Sequence, residues 1–185
     1  VTGGCGFIGS HLVEKLVSLN NKVIIIDNLS SGFIDNIDIN SKLIEFRNVS
    51  VENMDFSQID KVDGVFHLAA QASVPLSIEN FYESSKTNSL SSFKIISYCK
   101  EFDIPIVYAS SSAVYGNLAL GKEGDKIELL SPYAVDKFSM EKYFEAAYNY
   151  SNLSSFGLRF FNVYGPKQDP CSQYSGVISI FTSRL

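Results

Sequence analysis

The sequence has no tryptophan, two histidines, two methionines and three cysteines. Each scarcity excludes something. Cys5, Cys99 and Cys171 lie far apart, contain no Cys-x-x-Cys pair and are odd in number. That argues against a disulfide framework or zinc cluster and predicts a reducing, cytoplasmic setting. His11 and His67 lack a second metal-type residue at useful spacing, so both read as structural and no metal site is expected. No apolar run approaches the ~18 residues of a membrane span. The N-terminal apolar stretch is broken by glycines and runs into a charged helix, unlike a signal peptide. Positive charge is scarce as well: 15 Lys and Arg against 20 Asp and Glu give a net −5. A basic face for nucleic acid or anionic membrane is therefore not expected. An anionic ligand remains open, because a helix N-terminus binds phosphate through backbone N–H groups.

What is present is a chain of 185 residues, 45% hydrophobic and 19% charged, long enough to bury one substantial core. Short β-rich runs alternate with longer helical stretches, the pattern of a parallel sheet covered by helices. Val1–Thr2 reads as the tail of a first strand. Further strands are expected over 22–26, 43–46, 62–68, 104–109 and 153–161. Helices are expected from Phe7 to about Leu19, where Ile8, Leu12, Leu16 and Leu19 make one apolar face, over 82–101, and from Pro132 to about Tyr150. Ser131-Pro132 supplies an N-cap followed by a proline at N1, where its missing N–H costs nothing. Phe138, Tyr143, Phe144 and Ala147 read as the packing face of that last helix, and residues 122–126 as a solvated loop. With right-handed crossovers the fold class is α/β, a Rossmann-type doubly wound parallel sheet. Residues 1–161 are expected to form this domain and 162–185 to begin a second, incomplete one. Both ends look abrupt: the chain opens on Val1 directly before a glycine turn, and 177–185 reads as a helix that has begun and not stopped. A fragment is predicted.

Thr2-Gly3-Gly4-Cys5-Gly6-Phe7-Ile8-Gly9 stands where the first strand hands over to the first helix. Glycine there allows positive φ, close approach of a pyrophosphate and tight helix–strand contact. Gly3, Gly6 and Gly9 spell GxxGxxG, which alone also fits an ordinary tight turn. Asp27, ending the second strand 27 − 6 = 21 residues after Gly6, narrows the choice. Its carboxylate can accept from both hydroxyls of an adenosine ribose and would repel a 2′-phosphate, so NAD is predicted over NADP. Farther on, Tyr133 and Lys137 are four apart and share a helix face. An ammonium near the phenol would favour the phenolate and make a base of a group whose ordinary pKa is ~10. Alone, such a pair also fits the surface of an amphipathic helix. Ser110-Ser111-Ser112 ends the fifth strand, where ligands of open α/β sheets bind, although a polar loop without chemistry fits those residues too.

The segments TGGCGFIGSHL, IIIDNLSSG, FHLAAQASVPLS, ASSSAVYG, SPYAVDK and LRFFNVYGPKQDP occur in the order and spacing of the extended short-chain dehydrogenases/reductases. The chain resembles that NAD-dependent epimerase/dehydratase family over essentially its whole length, most of all the UDP-glucose and UDP-N-acetylglucosamine 4-epimerases. The resemblance implies cofactor contacts from Gly3, Gly6, Phe7, Ile8, Gly9, Asp27, Asn28, Ser31, Gly32, Leu68, Ala69, Ala70, Gln71, Asn88, Tyr133, Lys137 and Phe160. It implies Ser111, Tyr133 and Lys137 as catalytic residues, and substrate contacts from Ser73, Ser111, Ser112, Tyr133 and Asn162. A UDP-sugar substrate, bound NAD and a homodimer built through a helix bundle follow from the same likeness. Two departures stand out. Ser50 occupies a position where many relatives carry an adenine-binding Asp, and Glu79-Asn80-Phe81 replaces an ENP motif. Ser112 and Ala113 stand where the 4,6-dehydratases carry an Asp-Glu acid and base, and decarboxylases usually carry Glu at the Ala113 position. The expected activity is thus 4-epimerisation of UDP-N-acetylglucosamine or UDP-glucose, with UDP-glucuronate 4-epimerisation as a neighbouring alternative. A non-catalytic NAD-binding module is the alternative of another class.

Overall fold

The computed structural model describes residues 1–118, 121–169 and 181. Helix α1 (Phe7–Ser18) leaves the glycine turn with Gly6 as its N-cap. Strands β1 (Val23–Asp27) and β2 (Ile44–Asn48) follow, then a short β3 (Val65–His67). Next come α2 (Val74–Glu79), α3 (Phe81–Phe102), β4 (Ile106–Ser111), α4 (Pro132–Ser151) and β5 (Ser155–Phe160).

All pairings are parallel: β1 with β2, β3 with β4, and β4 with β5. Thr2 joins the two groups, bridging Ile26 on one side and His67 on the other. The spatial order is β2–β1–Thr2–β3–β4–β5, a doubly wound Rossmann sheet in which one residue stands for the expected first strand. The crevice of such a sheet opens where the winding reverses, here beside Thr2 between β1 and β3.

Successive side chains of a strand point to opposite faces, and the core divides accordingly. On one face Ile26, Val65, Ile106 and Tyr108 pack with Ile95 and Cys99 of α3 and Met140 and Phe144 of α4. On the other, Val23 and Ile25 pack with Cys5 and Val13. Phe144 is fully buried and stacks on Tyr108 with ring centroids 4.2 Å apart.

The helix start predicted at Ser131-Pro132 is where α4 begins, with Ser131 Oγ accepting from Ala134 N at 3.1 Å. Other expectations need correction. The strand predicted over 62–68 is only Val65–His67, since Asp63-Gly64 favours a bend over an extended run. Helix α2 was not foreseen, although Ser73 with Pro75 repeats the signal read at Ser131-Pro132, and Ser73 Oγ caps Leu76 N at 3.2 Å. The predicted α4 packing face is half right: Phe144 and Ala147 are buried, whereas Tyr143 is 50% exposed and edge-on to Phe93 of α3. The helix predicted over 177–185 lies outside the described residues, except Phe181.

Candidate active site

The glycine turn is held by close contacts that side chains would break. Gly3 has φ +70°, and a Cβ on it would lie 2.7 Å from Ala69 N. A Cβ on Gly9 would collide with the Gly3 carbonyl, its carbon 2.8 Å away. The turn is also tied to the end of β1. Asp27 is buried, and its carboxylate accepts from Cys5 N at 2.9 Å and Leu29 N at 2.8 Å. Burial, reinforced by Asp27, pushes the Cys5 thiol up to about 12, so it stays protonated.

A crevice of ≈ 590 Å³ opens over this turn. Gly3, Gly6, Asp27, Asn28, Ser31, Gly32, Leu68, Ala69, Ala70, Gln71 and Ser73 line it, so most residues predicted to meet the cofactor share one wall. Phe7, Ile8 and Gly9 form the first turn of α1, whose unpaired N–H groups and partial positive charge suit a pyrophosphate. Ser50, Val51 and Glu52 also line the crevice, just past the end of β2, and Ser50 Oγ accepts from Asn53 Nδ2 at 2.9 Å. The donor set therefore fits a dinucleotide: N–H groups for the phosphates and a carboxylate for the ribose.

Ser111, Tyr133 and Lys137 are not in that wall. They meet just beyond it, at the C-terminal end of β4. The Ser111 hydroxyl lies near enough to the Tyr133 phenol to favour its ionised form. The Lys137 ammonium lies 5.8 Å from the Tyr133 ring centroid and donates to Ala109 O at 2.8 Å. The Tyr133 backbone is tied to α2 beside the crevice, because Ser77 Oγ accepts from Tyr133 N at 3.2 Å while Leu76, one residue earlier, lines the crevice. Ser112 opens the 3-10 turn Ser112–Tyr115, whose Ala113 N donates to Ser111 Oγ at 3.1 Å. Phe160 ends β5 in register with Ser111, and Asn162 lies exposed beyond it.

The electrostatics differ from the sequence expectation. Burial raises the Tyr133 phenol above its ordinary range, and the nearby Ser111 hydroxyl opposes it. Lys137 is 5% exposed, and burial lowers its ammonium to about 8 against the pull of Asp136. Burial is thus the larger effect on both groups. His67 is structural, with Nδ1 2.8 Å from Thr2 Oγ1, and burial followed by the Lys137 charge lowers it to about 3. Among the described residues no group of three or more His, Cys, Asp or Glu could hold a metal, and no helix is long and apolar enough to cross a membrane.

Two polar networks were not read from the sequence, although Asn88 and Gln71 of the first were each singled out as cofactor contacts. Asn88 does not line the crevice but braces it: its Oδ1 accepts from Gln71 N at 2.9 Å and its Nδ2 donates to Gln71 O at 3.2 Å. Behind it the Asp136 carboxylate accepts from Asn88 Nδ2 at 3.3 Å and Ser85 Oγ at 3.1 Å. Beside the end of β4, Arg159 donates to both oxygens of Glu141 at 2.9 and 2.7 Å and to Tyr115 at 2.8 Å, and Ser110 also donates to Glu141. Glu141 lies one helical turn past Lys137, a spacing that could have flagged it.

A doubly wound sheet with a glycine turn, an acidic β1 terminus and a serine, tyrosine and lysine gathered at the end of β4 defines a dinucleotide-binding protein of the dehydrogenase/reductase kind. The comparisons are narrower. The sequence profile of the NAD dependent epimerase/dehydratase family matches residues 1–185, and the chain belongs to that family. NAD is accordingly its cofactor. A Methanocaldococcus jannaschii protein, itself provisionally assigned as a UDP-glucose 4-epimerase, is 41% identical, the match covering 100% of this chain and 62% of the relative. The UDP-N-acetylglucosamine 4-epimerase of Methanobrevibacter ruminantium, solved with UDP-N-acetylmuramic acid, superposes with TM-score 0.93 at 41% identity, covering 98% of this chain and 60% of that one. The UDP-glucose 4-epimerase of Thermotoga maritima, solved with UDP-glucose, gives TM-score 0.90 at 36% identity over 99% of this chain and 61% of its own. The chain thus spans about three-fifths of the length of these relatives.

Proposed function

We propose that the whole protein interconverts the C4 epimers of a UDP-hexose, UDP-N-acetylglucosamine or UDP-glucose. The observation carrying this reading is the convergence of Ser111, Tyr133 and Lys137 beside the dinucleotide crevice. Tyr133 takes the proton of the sugar 4-hydroxyl, and Ser111 hydrogen-bonds the same oxygen. Lys137 keeps a positive charge near the phenol, which favours the phenolate, and holds the nicotinamide ribose. Bound NAD supplies a hydride acceptor that returns what it takes, so no external oxidant is consumed. Presenting the other face of the 4-keto sugar to the cofactor would invert C4, and Tyr133 would give the proton back to the same oxygen. Ser112 and Ala113 offer neither acid nor base, which favours epimerisation over dehydration.

Residues 1–161 act as the cofactor domain, and the segment from 162 begins the part that holds the sugar nucleotide, with Ser73, Ser112 and Asn162 contributing. Exposed Leu90, Phe93 and Tyr143 on α3 and α4 support a homodimer through those helices. The buried free thiols of Cys5 and Cys99 suit a reducing cytoplasm. The test is to incubate full-length protein separately with UDP-glucose and UDP-N-acetylglucosamine and resolve the C4 epimers. Epimer formation without net NADH is expected. NADH rising in proportion to turnover would refute the reading, and NAD binding without turnover would favour the non-catalytic alternative.

A further inference from the structure

Asp136 stands immediately before Lys137 and is buried, an uncommon place for a carboxylate without a cation bonded to it. Its bonds are to neutral groups on α3: Ser85 Oγ at 3.1 Å and Asn88 Nδ2 at 3.3 Å. Asn88 in turn clamps both backbone groups of Gln71, which lines the crevice. The Gln71 side-chain amide is hydrogen-bonded to Ser84 of α3 at 2.8 Å. A continuous polar chain thus runs from the helix bearing Tyr133 and Lys137, across α3, to the cofactor wall.

We propose that Asp136 is a positioning residue: it locks α4 to the crevice through Asn88 and Gln71, and its negative charge keeps the neighbouring buried Lys137 protonated. The inference rests on the proposed cofactor role of Lys137. Three observations carry it. Asp136 fixes the Asn88 amide by taking one Nδ2 hydrogen while Gln71 O takes the other, so Oδ1 faces Gln71 N. Lys137 has an uncharged hydrogen-bond acceptor, Ala109 O, and so depends on a charge acting through space. The other titratable groups facing it are Tyr133 on its own helix and His67 on β3. Burial favours the neutral form of the phenol and holds His67 uncharged, which leaves Asp136 as the counter-charge. The two ionisations support each other: Asp136 raises the Lys137 ammonium and Lys137 lowers the Asp136 carboxyl, each against burial.

The test compares full-length wild type with Asp136→Asn, which keeps the shape and one acceptor but loses the charge. NAD affinity is measured by calorimetry from pH 6 to pH 10, alongside the pH dependence of epimerisation. Wild type should lose affinity as Lys137 deprotonates. In Asp136→Asn the same loss should begin about half a pH unit or more lower, with near-wild-type affinity at pH 6. Lys137→Met should bind NAD weakly without that pH dependence, tying the transition to the ammonium. Unchanged midpoints in Asp136→Asn would overturn the proposal even if its stability fell, since a purely structural carboxylate would not move them. Should Asp136→Asn fail to fold, Asp136→Ser, which also removes the charge, must move the midpoint downward in the same way, and an unmoved midpoint there also overturns it. Shifted midpoints in a wild type inert toward UDP-hexoses would uphold Asp136 and reject the epimerase reading.

Discussion

Replacing Lys137 with methionine should make the protein more stable and inactive at once. The ammonium is almost wholly buried, with one hydrogen bond to the Ala109 carbonyl. Its lowering from the ordinary 10.5 to about 8 corresponds, at about 1.4 kcal/mol for each tenfold change, to roughly 3 kcal/mol of destabilisation at neutral pH. Losing the hydrogen bond offsets about 1–2 kcal/mol of the relief. Methionine keeps the length and fills the same space. The net gain at pH 7 should be about 1–2 kcal/mol, a few degrees in Tm. The pH dependence separates this cause from repacking. Below pH 8 folded and unfolded chains both carry the proton, and the cost is fully present. Between pH 8 and 10.5 only the unfolded chain holds it, so stability rises with pH, and above 10.5 the cost is gone. Circular dichroism melts at pH 7 and pH 10 should therefore show the variant's advantage at pH 7 shrinking or reversing at pH 10. A variant less stable than wild type at pH 7, or an advantage independent of pH, would refute the reasoning.

Three further outcomes are expected. Tyr133→Phe should lower turnover by about 10²–10⁴-fold while leaving NAD affinity within about twofold, because the phenol oxygen carries the proton transfer; turnover close to wild type would remove Tyr133 from the mechanism. Asp27→Ala leaves Cys5 N and Leu29 N without their acceptor and should cost about 2–4 kcal/mol in urea unfolding, with NAD affinity down at least about tenfold; an unchanged affinity would disconnect this carboxylate from the ribose. Gly9→Ala forces a Cβ against the Gly3 carbonyl and should destabilise by about 1–3 kcal/mol or more, which denaturant midpoints will measure; wild-type stability would mean the turn is looser than described.

Much of this architecture was readable one segment at a time. The β-branched run at 23–26, the helical spacing of Ile8, Leu12 and Leu16, and Ser131-Pro132 are local signals, and the elements they predicted formed within a few residues. The glycine turn and Asp27 were legible for the same reason, since each residue type answers a backbone or charge requirement at its own position. Tyr133 and Lys137 were legible as a helical pair, but not their environment: burial, which sets both ionisations, depends on how α2, α3 and β4 close around them. Helix α2 was overlooked because six residues are too few for a periodic signal, although its cap was in view.

Local chemistry along the chain was sufficient for the β/α alternation and the glycine turn, because strand, helix and turn preferences act over a few neighbouring residues, and the acidic end of β1 matched the cofactor of the family, NAD. Contacts between distant residues decided the rest. Thr2 closing the sheet between Ile26 and His67, Asn88 reaching back to Gln71, Asp136 accepting from Asn88 and Arg159 gripping Glu141 join positions 17 to 65 residues apart. Such pairings have no period and no fixed spacing, and they exist only once the helices have packed on the sheet.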